Sequence, residues 1–238
     1  MTNRIHPTAV LGPQVELGSG NVIGPFCVLQ GPVVIGDENY LASHVSVGGA
    51  AEVRGHRFEP SWEEPFDGNG VTIGSRNVFK EFVAVNGGWA TLTEVGDDGF
   101  FMGLAHLNHD VVVGDEVTVS GSAVVAGHVT IEDGANLGLG VTVHQRRTIG
   151  AGAMIGMQAA VTRDLPPYVV SAGVPARPLR LNTYRLTRLG VPDEAHAQLE
   201  AVLLRGSRDL AGLPDPLRPA IEAWLDRTDP DPRGTIQP

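Results

Sequence analysis

The chain has 238 residues, room for one large domain or for one domain with a small appendage. Seventeen basic against 27 acidic residues leave a formal charge of −10, which argues against nucleic acid or an anionic membrane as a general partner. The single cysteine, Cys27, excludes an intramolecular disulfide and a thiolate zinc cluster from one chain. With neither an apolar leader nor an apolar run of ~18 residues, the expectation is a cytoplasmic protein without a membrane span.

Glycine is abundant, at 31 residues, while aromatics make up only 5%. That combination points to many tight turns between short buried strands, and so to a repeat. Its period is six. From Ile5 the chain reads IHPTAV, LGPQVE, LGSGNV, IGPFCV, LQGPVV, IGDENY and LASHVS, with Val47 following in phase. A second run begins at Ile73 with IGSRNV, FKEFVA and VNGGWA; a third runs from Val95 to Pro166 with an apolar leader in every hexad. An aliphatic leader followed by Gly, Asp or Asn is the hexapeptide signature of a parallel β-helix, in which three hexads make one 18-residue coil. Leaders stack inside the prism, and the glycines and Asn/Asp are expected to fill turns with positive φ. The recognisable hexads make about seven coils and, at ~4.8 Å per coil, a prism roughly 35 Å tall.

Two interruptions break the phase: a long insertion near 48–70, holding Arg54, Arg57, Pro60, Trp62 and Pro65, and a short one at Thr91–Glu94. Long loops on a rigid scaffold are commonly functional. The pattern divides the chain into a β-helix at 1–178 and a helical domain at 179–238. Helices are expected over Leu179–Leu189 with Gly190 as stop, from Pro192-Asp193-Glu194 to near Gly206, and from Asp215-Pro216 to about Arg227, before a frayed tail.

Four of the eight histidines cluster: His106, His109, His128 and His144. At 18 residues per coil, Asp110 falls below His128, and His109 below Gly127 and Gln145. A second constellation is basic. Between Leu165 and Pro192 there is no acid, whereas Arg177, Arg180, Arg185 and Arg188 give a local charge of +4. Such a run is usually a solvated face, but here it leads straight out of the prism, as an anion site would.

The segments His106-Leu-Asn-His109-Asp110, Ala126-Gly127-His128-Val129, Val143-His144-Gln145 and Asp164-Leu-Pro-Pro-Tyr168-Val resemble the UDP-N-acetylglucosamine O-acyltransferase family of lipid A biosynthesis. Ile5-His-Pro-Thr-Ala, Ile23-Gly-Pro-Phe-Cys27 and Leu186-Thr-Arg-Leu-Gly190 match it too, so the likeness covers nearly the whole chain. It implies a left-handed β-helix that assembles as a homotrimer with active sites between prisms. It implies transfer of a 3-hydroxyacyl group from acyl carrier protein to a sugar hydroxyl, with no cofactor beyond the carrier's phosphopantetheine and no metal. By the same resemblance His109 is the general base, Asp110 orients it, and the Gly127 N–H faces the thioester oxyanion. His106, His128, His144 and Gln145 line the acceptor and pantetheine region, Met157 limits acyl-chain length, and Asn182 and Arg188 lie toward nucleotide and carrier. Arg177, Arg180 and Arg185 are the further carrier-docking candidates. The chain departs from the family on the acceptor side: Glu52-Val53-Arg54-Gly55 replaces a Gln-Asp-Leu-Lys stretch, Asn86 a histidine, Tyr184 a glutamate and Leu189 an arginine. The acceptor can therefore differ, an amino sugar or another small molecule included. Two other classes stay open: a metal-dependent carbonic anhydrase using His106 and His109, and a non-catalytic trimeric scaffold.

Overall fold

The computed structural model describes residues 2–54 and 69–227. Arg57, Pro60, Trp62, Pro65 and the tail from 228 onward lie outside the described residues. What the hexads build is a three-faced parallel β-helix. Its first face runs from Arg4–Ile5 to Val169–Ala172, its second from Val10–Leu11 to Ala160–Val161, and its third from Val15–Leu17 to Thr148–Ile149. Partners such as His106 and Val124 are 18 positions apart. Each hexad leader from Ile23 onward is buried in one continuous core, and Phe79 stacks on Phe101 at 4.6 Å inside it. The faces carry nine, eight and seven parallel strands, which makes eight coils rather than seven. The additional strand, Val169–Ala172, follows Pro166-Pro167, where the coil is two residues short: Met154 pairs with Val170, only 16 positions on.

The glycines bear out the sequence reading only in part: Gly20, Gly134, Gly140 and Gly152 take positive φ, as expected, but glycine is not required for it. Positive φ falls on the fourth residue of most hexads, and side chains as varied as Phe26, His44, Leu104, Asp110 and His128 adopt it there. Glycine at the second position has a different reason. A Cβ on Gly24 would meet the Ala42 carbonyl at 2.8 Å, so that position is small to let the next coil close. At the corner between third and first faces, Asn21, Asn39 and Asn77 form a buried ladder, each Oδ1 accepting the amide of the next turn at 2.7–2.9 Å. Buried polar groups thus stay satisfied along the prism.

Both insertions are visible in the register. Ser46 pairs with Ala84, 38 positions on, and Ala84 with His106, 22 on, an excess of 20 and of four over the coil length. Beyond the prism, the helix expected from Leu179 is replaced at its start. Arg177–Leu181 is a strand running antiparallel to Val169–Ala172, and α1 spans only Thr183–Arg188. Pro178 disfavours helix, and the open edge of Val169–Ala172 offers backbone partners. Asn182 caps α1, and Gly190, at φ +70°, follows its end. Single 3₁₀ turns lead into α2 (His196–Leu203) and α3 (Arg218–Arg227). Leu186, Leu199, Leu217 and Ile221 bury against Tyr168, Val169 and Leu181, so the helices cover the last coil.

Candidate active site

The corner between second and third faces carries the histidine cluster. Residues at the third hexad position stack as His109, Gly127 and Gln145, and those at the fourth as Asp110, His128 and Arg146. This follows from backbone bonds one coil apart: the His128 amide donates to the His109 carbonyl at 3.1 Å, and that of Arg146 to Gly127 at 3.1 Å.

Asp110 is the anchor. Its side chain is fully buried, and Oδ2 lies 2.6 Å from His109 Nδ1. Oδ1 accepts from the backbone amides of Trp89, Ala90 and Thr91 at 3.1, 2.8 and 2.6 Å, and from the Thr91 hydroxyl at 3.1 Å. The Asp110 amide in turn donates to Thr93 Oγ1 at 2.9 Å. Burial alone would raise this carboxyl, but the bonds from His109, Thr91 and Ala90 and the charge of His128 outweigh it and hold it below the ordinary carboxylate range. The cradle is a nest of successive N–H groups, and the four-residue insertion builds it. The hairpin reversal at Gly88, where any Cβ would collide with the Thr91 carbonyl, turns three amides onto one oxygen.

An ionised Asp110 fixes the proton of His109 on Nδ1 and leaves Nε2 as the acceptor. The imidazole is mostly buried, at 13% exposure, and His128 stands edge-on to it, centroids 5.1 Å apart at 89°. Burial, together with the nearby charges of Arg146 and His109, lowers the pKa of His128 against the opposing pull of Asp110, 3.5 Å from its Nε2. On the opposite side the His109 amide donates to Asn108 Oδ1 at 2.8 Å, and Asn108 Nδ2 donates to Glu52 at 2.9 Å. His106 Nε2 lies 3.4 Å from Asn86 Oδ1. Thr91, Thr93, Asn108 and Glu52 in this role carry no motif of their own.

The remaining expected residues lie elsewhere on the single chain. His144 and Gln145 continue the same corner, exposed, above Gly127. Met157 stands on the neighbouring corner, 68% exposed, beside Leu139. Asn182, Tyr184, Arg180, Arg185 and Arg188 line a cavity of about 770 Å³ on the first face, a lining that does not include Arg177. There Arg185 pairs with Glu116 at 2.9 Å and Arg188 donates to the Tyr184 hydroxyl at 3.3 Å. Asn182 Nδ2 donates to the Gly152 carbonyl at 2.8 Å, so this side chain also ties α1 to the prism.

Among the described residues, His109, Asp110 and His128 offer metal-ligand atoms within 4.8 Å of one another. Ligation there would displace the bond that fixes the imidazole, since both Asp110 oxygens already accept. His106, which the carbonic anhydrase alternative requires, is outside this group.

Hexapeptide coils with an imidazole–carboxylate pair on one corner define a transferase class. Residues 15–49 match the family model described as bacterial transferase hexapeptide (six repeats). The chain is 35% identical over 209 residues, 81% of itself and 80% of the relative, to the acyl-[acyl-carrier-protein]–UDP-N-acetylglucosamine O-acyltransferase of Thermodesulfovibrio yellowstonii. To the enzyme of the same name from Paraburkholderia xenovorans it is 34% identical, covering 96% of this chain and 93% of the relative. The solved UDP-N-acetylglucosamine acyltransferase of Francisella novicida matches with a TM-score of 0.75 at 28% identity, covering 93% of this chain and 85% of its own. The chain belongs to the acyl-[acyl-carrier-protein]–UDP-N-acetylglucosamine O-acyltransferase family, and it is an acyltransferase.

Proposed function

We propose that the protein moves an acyl group, 3-hydroxylated as in the family, from the thioester of acyl carrier protein to a hydroxyl of a nucleotide sugar such as UDP-N-acetylglucosamine. The observation that carries this reading is the His109–Asp110 pair under Gly127. His109 Nε2 takes the hydroxyl proton while the oxygen attacks the thioester carbon. The Gly127 N–H, which makes no hydrogen bond among the described residues, donates to the developing oxyanion. Collapse expels the pantetheine thiolate, and the imidazolium returns the proton to sulfur. A positioned base contributes typically ~10²–10⁴-fold, and one preorganised N–H about 2.7–4 kcal/mol.

On this reading the protein has no cofactor or metal of its own, because the carrier brings the pantetheine arm. The active assembly is a homotrimer. The catalytic corner, Met157 and the Asn182–Arg188 cavity occupy different sides of one prism, and a neighbouring chain brings the complementary pieces to each site. The prism acts as scaffold, and the helices from Thr183 to Arg227 as docking unit.

A second reading keeps this chemistry and changes the acceptor to an amino sugar or a related intermediate. It is favoured by Asn86 beside His106 and Glu52 beside Asn108, where the family has other side chains. The deciding experiment is a mass-spectrometric transfer assay with acyl carrier protein donors and a panel of nucleotide and amino sugars. Product formation that disappears in His109→Ala supports the mechanism. Undiminished turnover in that variant removes His109 from it.

A further inference from the structure

The corner between third and first faces has a notch in it. From Asp98 onward its fourth-position column reads Asp98, Glu116, Gly134, Gly152 and Tyr168, all with positive φ. The amides of Gly134, Gly152 and Tyr168 donate to carbonyls of the coil before, at 2.7–2.8 Å, so the column runs on unbroken past the two glycines. The Arg185 side chain, from α1, lies in the gap they leave. A Cβ on Gly152 would fall 3.0 Å from Arg185 Cγ and 2.7 Å from Tyr168 Cδ1, while one on Gly134 would collide with the guanidinium, 2.5 Å from Cζ. Nη2 reaches on to Glu116 Oε2 at 2.9 Å. The stem thus crosses one coil, the guanidinium the next, and the tip meets the third. Positive φ does not demand glycine here, since Asp98 and Glu116 adopt it in the same column; room for the arginine does. The other three arginines of the basic run are exposed, whereas the Arg185 side chain is only 21% exposed. Its Nε is buried without a hydrogen-bond partner among the described residues, so the fit into the notch, rather than a full set of bonds, fixes its place.

Helix α1 needs such an anchor. Six residues make a marginal helix on their own, and Leu186 is the one buried residue among them. Together with the Asn182–Gly152 bond, Arg185 sets how α1 stands over the 770 Å³ cavity that Tyr184 and Arg188 line. We propose that Arg185 is a positioning residue for the nucleotide end of the acceptor, holding α1 so that Asn182, Tyr184 and Arg188 face it, and that it is withdrawn from carrier docking. This rests on the reading that the cavity receives that end of a nucleotide sugar. The contribution of Arg185 is shape more than charge. A planar guanidinium fills a slot that a lysine ammonium, a point charge on a flexible stem, leaves empty.

The test compares wild type with Arg185→Lys, Arg185→Met and Gly134→Ala. Each is titrated calorimetrically with UDP, and KM is measured for UDP-N-acetylglucosamine and for carrier-bound donor at low and high salt. Gly134→Ala leaves every charge in place and obstructs only the notch, at a φ of +64° that side chains tolerate elsewhere in the column. All three variants should weaken UDP binding and raise acceptor KM about 10-fold, the size of one lost charge-assisted bond. Donor KM and its salt dependence should stay as in wild type. Arg185→Lys equal to wild type, with Arg185→Met raising donor KM and flattening its salt dependence, would make Arg185 a docking cation and overturn the assignment. UDP affinity unchanged in all three variants, or absent from wild type, overturns it as well. So does a joint rise of acceptor and donor KM with a falling thermal midpoint, the mark of a merely structural role. Turnover separates the two layers. Wild type inactive with every nucleotide sugar defeats the proposed function, whereas active wild type with an acceptor KM untouched by the variants defeats only the role of Arg185.

Discussion

Gly127 lies directly over the ring of His109: a Cβ on Gly127 would fall 2.5 Å from His109 Cε1 and 2.6 Å from Nε2. Contact this close leaves no room for a methyl group between the coil backbone and the base. Gly127→Ala should therefore tilt the imidazole away from Asp110 and lower kcat by two or more orders of magnitude, the share usually lost with a base. The fold should persist, since this residue lies on the outer corner. Circular dichroism with steady-state rates checks both halves, and near-normal kcat would count against the geometry.

Asp110→Asn probes the tautomer. An amide at this position can present its N–H₂ to His109 Nδ1, placing the proton on the reactive Nε2 instead. The variant should lose activity while keeping donor KM, in contrast to a variant that merely loosens binding. Thr93→Val removes only the acceptor of the Asp110 amide and should cost less than Asp110→Asn. Equal losses in the two would show that cradle integrity, not the tautomer, is what matters.

Acyl-chain length is expected to be set by Met157. Leu139, one coil earlier on that corner, leans back over Gly121, whose added Cβ would touch Leu139 Cδ2 at 3.5 Å. Met157 is 68% exposed there, against 51% for Leu139. Medium or shorter donors should be preferred, with ~0.8 kcal/mol forfeited for each methylene left unburied. In Met157→Gly the optimum should move to longer chains without loss on short ones. A chain-length profile identical to wild type would leave Met157 as surface packing.

Carrier docking is expected to use Arg177 and Arg180, which, unlike Arg185 and Arg188, make no side-chain bond to another side chain among the described residues. Reversing both to Glu should raise KM for carrier-bound donor and flatten its dependence on salt, because exposed charges more than ~10 Å apart are screened at 0.1 M. Salt dependence indistinguishable from wild type would place docking elsewhere.

The lowered pKa of His128 gives stability a pH signature. Below the ordinary histidine value of 6.5, the unfolded chain takes up a proton that the folded protein resists. Stability present at neutral pH is therefore lost as pH falls from about 6.5 toward the folded-state value. Melting temperature measured from pH 8 to 5 should decline more steeply in wild type than in His128→Gln. Parallel curves would show that the His128 environment does not couple to folding.

Much of this site could be read from spacing. Eighteen residues per coil place His109 under Gly127 and Asp110 under His128 without reference to any structure, and every hexad leader named from the pattern lies in a strand, ending it everywhere but at Val47 and Val85. The cradle could not be read that way. Trp89 and Ala90 close the hexad VNGGWA and Thr91 opens the four-residue break after it, and a break has length but no pattern. Glu52 and Asn108 meet across 56 positions spanning both insertions, so counting coils does not bring them together. The helix expected from Leu179 lost to an open strand edge, a tertiary opportunity invisible in a local pattern. Glycine was read in part: abundance at turns suggested positive φ, which Gly20, Gly134, Gly140 and Gly152 adopt, whereas at the second hexad position the demand is for closeness.

The reversed strand Arg177–Leu181 also bears on how the first face of the prism ends. A parallel coil is a template for another like it, and two prisms meeting end to end would find matching ladders. Here the ladder's last rung runs backwards, carries Pro178 with no N–H to offer, and holds Arg177 and Arg180 along an exposed edge, devices that blunt strand-to-strand growth. The same five residues that hand the chain from prism to helices thus make a repetitive protein finite. Gain or loss of a whole coil in the interior is compatible with this ending, whereas its removal would leave the Val169–Ala172 edge open to a strand from another chain.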